Sequence, residues 1–421
     1  MTDPTSTPTM VNPDLEPQTP SRWAVAWREI VSGSPLRTVL AIVLAFVVGA
    51  VLIIVTNPEF LASVGYIFSR PSDAITAAVD AVVNGYGALF RGAILNLEGD
   101  TFAEVVRPLT ETLRLATPLI AAGLGIALSF RVGMFNIGGQ GQLLFGAGFA
   151  GFVSFHADLP FPLHLLLAIV AGILGAAAYG ALVGLLKAKT GANEVIVTIM
   201  LNYIAFYLLT YLMRTPVLQD PDAGGTPKTP APDASAQLPL LFGGSFSLHW
   251  GFVIVIGATV LFWWLMERST LGYRFRAVGL NPSAALTAGI NVNRIYVLAM
   301  GLSAAFVGLA GVTQALGRTS GFTPTVDAGI GFDAITVALL GGSSAGGVFL
   351  AGLLFGAMKA GGPSMQIADV PPELLGVVQG LIVLLIAAPP LVRAIFRLPS
   401  PSAPSAGGRR SRRAAKKGGV K

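Results

Sequence analysis

The sequence has no cysteine. That excludes disulfides, thiolate metal sites and cysteine nucleophiles. Charge is scarce too: 11% of the 421 residues are Asp, Glu, Lys or Arg, against about 25% in a soluble domain. There is no G-x-x-x-x-G-K-[ST] run, so no P-loop for ATP. There is no H-E-x-x-H, and no Ser/His/Asp order stands out. The three histidines, His156, His164 and His249, are far apart in sequence and read as interfacial. Acid–base residues inside apolar runs are few as well: Glu194, Asp333 and Lys359. A charge at the bilayer centre costs about 2.5–3.5 kcal/mol on insertion scales. Glu194 and Asp333 stand near span ends, within reach of water, and Lys359 is deeper, with a stem long enough to snorkel. A motor on another chain fits this poverty better than an internal proton relay.

What remains is 53% hydrophobic, with 51 glycines and 28 prolines and a mean hydropathy of +0.71. Such a chain is an all-α polytopic membrane protein whose glycines permit close or interrupted helix packing. The net charge of +6 carries topology information and is not a nucleic-acid signature. Residues 1–20 are Pro/Thr-rich and acidic, lack the basic n-region of a signal peptide, and read as disordered.

Arg22, Arg28 and Arg37 precede the first apolar run, Thr38–Thr56, which puts the N-terminus in the cytoplasm. Residues 57–113 mix charges with short apolar pieces and read as an external region, part of it amphipathic helix along the interface. Spans follow at Leu115–Phe130, Leu143–Phe155, Leu163–Leu186 and Glu194–Met213. The Pro- and Gly-rich stretch 214–247 is an external loop. Leu248–Met266 returns to a basic cytoplasmic loop, 267–294, and Ile295–Ala315 leaves it. Phe332–Gly342 and Val348–Gly361 fall short of the roughly 20 residues a span needs. Leu374–Val392 comes back to a basic C-terminal tail. The reading is about ten spans with both termini cytoplasmic. The boundaries are a segment 1–37, a transmembrane domain 38–398 and a disordered tail 399–421, attracted to membrane lipid. Spans 2–5 and 7–10, each with a Gly-interrupted pair, form an inverted repeat, a transporter signature.

The basic loop holds a short helix with both ends marked. Asn281 is an N-cap, Pro282 fits the first helical position, and Gly289 closes the end. It is far too short to cross a bilayer. It is either a docking knob for a soluble partner or an ordinary connecting loop.

This loop, GYRFRAVGLNPSAALTAGINVNRIYVLAMGLSAAFVGLAG, resembles the cytoplasmic loop of permease subunits of bacterial ABC importers of the ribose/branched-chain-type family. GMFNIGGQGQLLFGAGFAG resembles the nucleoside branch, whose usual form is F-N-I-G-x-E-G-Q, with Gln140 standing where that branch has Glu. FDAITVALLGGSSAGGVFLAGLLFG resembles the family's late Leu-Gly-Gly segment, and the similarity covers roughly residues 110–395. The resemblance implies a coupling helix that docks on a cytoplasmic ATPase, carried here by Gly279, Asn281, Pro282, Ala284, Ala285, Gly289 and Ile290. It implies ATP and Mg on that ATPase and no cofactor in this chain. It also implies a second, different permease subunit, and a substrate-binding lipoprotein or periplasmic protein. The candidate substrate pathway is Phe135, Asn136, Gln140 and Gln142, with Asn193, Thr198 and Asn202, and Phe332, Asp333 and Thr336. Amides can both donate to and accept from ribose hydroxyls and base edges, and phenylalanine can stack on a base. Each polar residue has a plainer alternative, interhelical hydrogen bonding. A simple-sugar permease and an ion-coupled carrier are the other functions in view.

Overall fold

A computed structural model describes residues 34–388 together with 395 and 396. The expectations for residues 1–33 and for the tail 399–421 lie outside the described residues. Two compact units are distinguished, 45–387 and the two chain ends, 1–44 with 388–421. Everything below concerns the first, except the opening turns of the first helix, residues 34–44.

The described residues are helical, with one isolated bridge between Leu240 and His249. The helices are α1 (Ser34–Thr56), α2 (Pro58–Val64), α3 (Pro71–Ala93), α4 (Phe102–Arg131), α5 (Gly139–His156), α6 (Leu163–Thr190) and α7 (Glu194–Leu212). After a long loop come α8 (Gly251–Arg268), α9 (Thr270–Leu280), α10 (Pro282–Thr287), α11 (Val292–Leu316), α12 (Ile330–Leu340), α13 (Ala345–Ile367) and α14 (Pro372–Ala387). Seven of the described helices are long and apolar enough to cross a membrane: α1, α4, α6, α7, α8, α11 and α13. Of the others expected to span, α5 spends its first turn on GQGQ, and α12 and α14 are 11 and 16 residues long.

Two stretches differ from the expectation. Helix α4 starts at Phe102 and not at Leu115, and it runs through Pro108 and Pro118 without ending. Thr101 marks its start, accepting from Glu104 N at 3.3 Å, so charges read as an interfacial mixture belong to its first turns. Within 57–113, α3 is one helix of 23 residues. Its buried stripe is Ala74, Ala81, Gly85, Ala88 and Ala93, and it packs along α13. Small residues let two backbones approach closely, the packing mode open to helices in lipid.

The core is built on α4 and α11, which pack against each other. Helix α11 also packs on α5 and α6, and α4 on α12 and α13. Helix α5 packs on α6 and α7, and α12 on α13 and α14. These pairs map onto one another when α4–α7 is exchanged with α11–α14.

At one end of this bundle the long loop is strapped down. Thr229 N donates to Phe322 O at 3.0 Å, Asp233 N to Ser154 O at 3.0 Å, and Leu238 N to Leu316 O at 2.9 Å. Two histidines expected at an interface are buried there. His164 meets Ser235 Oγ at 2.7 Å and Val153 O at 3.0 Å. His249 accepts from Gly251 N at 3.1 Å, at the start of α8. Burial, and after it the Arg114 guanidinium, pushes the His249 ring from 6.5 down to about 4. The folded value lies below the unfolded one, so the neutral ring's stabilisation is complete above about pH 6.5 and is lost as pH falls toward 4, on the order of 3 kcal/mol. The thermal midpoint of the purified protein should therefore fall more steeply over that interval than that of His249→Gln, which keeps an acceptor but does not titrate. Parallel curves would remove His249 as the cause.

Candidate functional site

The two broken helices begin where they touch. A Cβ on Gly139 would stand 2.7 Å from Gly331 O, and one on Gly331 would stand 2.3 Å from Gln140 N. Only glycine allows this approach, so the first turns of α5 and α12 meet backbone to backbone.

A helix that starts inside a bundle exposes amide donors that no water reaches. For α5 the chain supplies side chains instead. Asn136 Oδ1 accepts from Gly138 N at 2.8 Å. Asn202 Oδ1 on α7 accepts from Gly141 N at 2.8 Å, and its Nδ2 donates to Ile137 O at 2.9 Å. Thr198 Oγ1 accepts from Ile137 N at 3.3 Å. Asn136 Nδ2 also donates to Gln142 Oε1 at 3.1 Å and to Ser303 Oγ at 3.0 Å, and the Ser303 hydroxyl donates to Gly125 O at 2.7 Å. The pathway candidates Asn136, Gln142, Thr198 and Asn202 are thus brought together, all buried, with their hydrogen-bonding capacity spent on one another and on the backbone of the break.

At α12 a single carboxylate does the same work. Asp327, in the 3-10 turn Pro324–Asp327, accepts from Gly329 N at 3.1 Å and from Gly331 N at 2.9 Å. The next residues face open space. Phe332 is exposed, and Asp333 Oδ2 meets Lys359 Nζ of α13 at 2.7 Å, the two side chains 26% and 27% exposed. Lys359 therefore does not run to an interface: its charge is held where Asp333 stands. Thr336 lies one turn further on, partly buried. On the α5 side, Phe135 is exposed and stacks on Phe130 at 4.9 Å, and Gln140 is partly exposed. Asn193 has a local role. It caps α7, accepting from Val195 N at 2.9 Å, beside the Lys187–Glu194 ion pair at 2.5 Å.

The knob is a helix of six residues. Asn281 Oδ1 accepts from Ala284 N at 3.1 Å, and Pro282 occupies the first helical position. The C-cap residue is Ala288. Gly289 follows at φ +82, and Ile290 N donates to Ala285 O at 3.0 Å, which closes the end as a left-handed turn does. Ala284 is exposed and Ala285 buried. Gly279 is not on the knob but on α9, pressed against Arg131 at the end of α4.

Sequence reasoning missed four participants here. Leu280 just before the knob and Leu286 on it are 88% and 64% exposed; two bare leucines in a basic loop were the available signal. Arg131 and Glu267 stand just past the ends of apolar runs, where a charge by itself marks only the end of a span. Arg131 Nε donates to Ser343 O at 2.9 Å, and Glu267 lies 3.4 Å from Arg131 and 3.6 Å from Arg276.

A model of the family described as "Branched-chain amino acid transport system / permease component" matches residues 109–387. The chain is 38% identical over 319 residues to the guanosine ABC transporter permease protein NupP of Bacillus subtilis, covering 75% of this chain and 88% of that one. It is 36% identical over 291 residues to the nucleoside ABC transporter permease protein NupB of Lactococcus lactis, covering 67% and 79%. It is 33% identical over 375 residues to the glucose ABC transporter permease protein TsgB13 of Haloferax volcanii, covering 87% and 89%. No solved structure matches. With seven helices long and apolar enough to cross a membrane and a family match over residues 109–387, this chain belongs to the branched-chain amino acid transport system permease family, as a multi-pass permease subunit of the plasma membrane and not an enzyme.

Proposed function

We propose that this chain is the transmembrane permease of an ABC importer for nucleosides. The observation that carries the reading is the 38% identity to a guanosine permease over most of both chains, joined to the F-N-I-G-G-Q-G-Q break. A separate cytoplasmic ATPase, with ATP and Mg bound to it, would supply the power. A second, different permease subunit would complete the pathway, and a binding lipoprotein or periplasmic protein would deliver the substrate. The coupling surface is the Asn281–Ile290 knob with Gly279 behind it. The topology is ten spans with cytoplasmic termini, α4–α7 and α11–α14 forming an inverted repeat; the exchange relation among their packing pairs supports it. Residues 57–101, up to the start of α4, are the external region, 267–294 the coupling loop, and 1–37 and 399–421 the cytoplasmic ends. Of the pathway candidates, Phe135, Gln140, Phe332, Asp333 and Thr336 line the route. Asn136, Gln142, Thr198 and Asn202 hold the broken helix that forms its wall, and Asn193 fixes the start of α7.

A sugar permease is the second reading, favoured by the 33% identity to a glucose permease. Guanosine and glucose share a hydroxyl-bearing sugar ring. Uptake of labelled adenosine, guanosine, uridine, ribose and glucose separates the two. Cells with the chain should be compared with cells lacking it and with cells carrying Pro282→Gly plus Ala285→Glu. Nucleoside uptake should disappear in both altered strains with sugar uptake unchanged. Loss of sugar uptake alone would move the reading to the second branch. Uptake that survives the knob variant and stops with an uncoupler would indicate an ion-coupled carrier.

A further inference from the structure

We propose that Asp333 and Lys359 form a binding subsite for vicinal hydroxyls on the sugar ring of the transported molecule, with Phe332 as its aromatic wall. The inference rests on the reading above, that the substrate is a nucleoside or a sugar.

Depth comes first. At 1.5 Å per residue, Lys359 stands about 21 Å from the start of α13 and about 12 Å from its end. A pair of charges at that depth is retained against the cost of placing charge in a membrane. A pin between α12 and α13 would be made at least as well by apolar packing, because desolvating two charges offsets their attraction. Nor is the pair sealed in: about a quarter of each side chain is open, and Phe332, Ala328 and Gly329 beside it are exposed.

Unused bonding capacity is the second point. Asn136, Gln142, Thr198, Asn202 and Asp327 hold backbone or one another. Asp333 uses Oδ2 on Lys359, and among the described residues its Oδ1 carries no hydrogen bond. Lys359 Nζ reaches Asp333 and, at a long 3.4 Å, Ala328 O, which leaves one of its three donors free. A free acceptor and a free donor therefore stand side by side. Two hydroxyls on adjacent ring carbons present the matching pattern, one proton to give and one oxygen to accept with. The exposed Phe332 ring, next to Asp333 on α12, offers a face for the apolar side of a sugar.

The test uses the complete transporter in cells and competes labelled guanosine with unlabelled guanosine, 2′,3′-dideoxyguanosine, methyl glucoside and methyl 3-deoxyglucoside. In the wild type, dideoxyguanosine should compete at least about tenfold more weakly than guanosine. In Asp333→Asn plus Lys359→Gln that preference should collapse toward unity, with the chain still present in the membrane. A preference that survives in this variant, with uptake of all substrates merely lowered, would reduce the pair to a structural contact. Should the variant not accumulate, equal competition by the two nucleosides in the wild type overturns the subsite by itself. If the wild type takes up glucose and no nucleoside, the same comparison is made between methyl glucoside and methyl 3-deoxyglucoside, which has no two hydroxyls on adjacent carbons, and absence of preference overturns it there. Wild-type cells that take up neither class would sink the functional reading along with the subsite.

Discussion

Leu286→Asp should lower substrate uptake by at least about tenfold without changing the amount of chain in the membrane. The knob is held by its own backbone: Asn281 closes one end and the Gly289 turn the other. Ala285 packs inward, so a glutamate there disturbs the knob itself. Leu286 points away, 64% exposed, and its replacement leaves the helix and both caps intact. An exposed leucine that enters a partner's pocket contributes about 1.5–3 kcal/mol through burial of its apolar surface, a factor of about ten to a hundred in affinity. Placing a carboxylate there leaves a desolvated charge at the contact. The measurement is uptake together with co-purification of the ATPase. Retained uptake and retained ATPase would show that the knob does not dock through this residue; Leu280, 88% exposed, would be the next to test.

The parts of this molecule that rest on local signals were legible in the sequence. The knob was, because a cap, a proline and a glycine within ten residues determine a short helix regardless of what surrounds it. Spans such as α6 and α7 were, because an apolar run needs no partner to be recognised. The start of α4 was not: its first turns carry Glu104, Arg107, Glu111 and Arg114, and hydropathy registers a helix only where the charges stop. Helix α3 escaped for a related reason, since its buried face is alanine and glycine, which hydropathy hardly distinguishes from loop. At the candidate site, polarity marked the residues but not the hydrogen-bond partners they have in the fold. Asn136 and Asn202 look like ligands for a substrate when each is read alone. They are caps once Gly138, Ile137 and Gly141 are seen to need acceptors and donors, and Asn202 lies 61 residues from the amide it serves. Likewise, Lys359 and Asp333 become a pair only when α13 is laid beside α12.

Gly279→Val should abolish uptake while the assembled transporter continues to hydrolyse ATP. A Cβ at Gly279 would stand 2.3 Å from Arg131 O, so any side chain forces α9 off the end of α4. The contact is placed where a movement of the proposed coupling knob would have to pass. Arg131 ends α4 and leads into residues 133–138, from which α5 starts. The same Arg131 binds Ser343 O in the turn after α12, and Ser343 has a φ of +52, a strained value for serine. One residue therefore touches the loop that carries the knob and both broken helices. Glu267 ties this joint to Arg276 on α9, where Arg276 Nη1 is buried and without a hydrogen bond, so a small displacement of α9 changes the pairing of two guanidiniums. The carboxylate itself is 43% exposed, and exposed ion pairs contribute about 0–1 kcal/mol. Glu267→Gln should accordingly weaken coupling a few-fold, far less than Gly279→Val, and Gly279→Ala should fall between them. Uptake and ATP hydrolysis measured on one preparation decide the matter. If hydrolysis and the amount of folded chain fall together with uptake, Gly279 is a packing residue. If hydrolysis persists alone, the knob has been disconnected from the helices it moves.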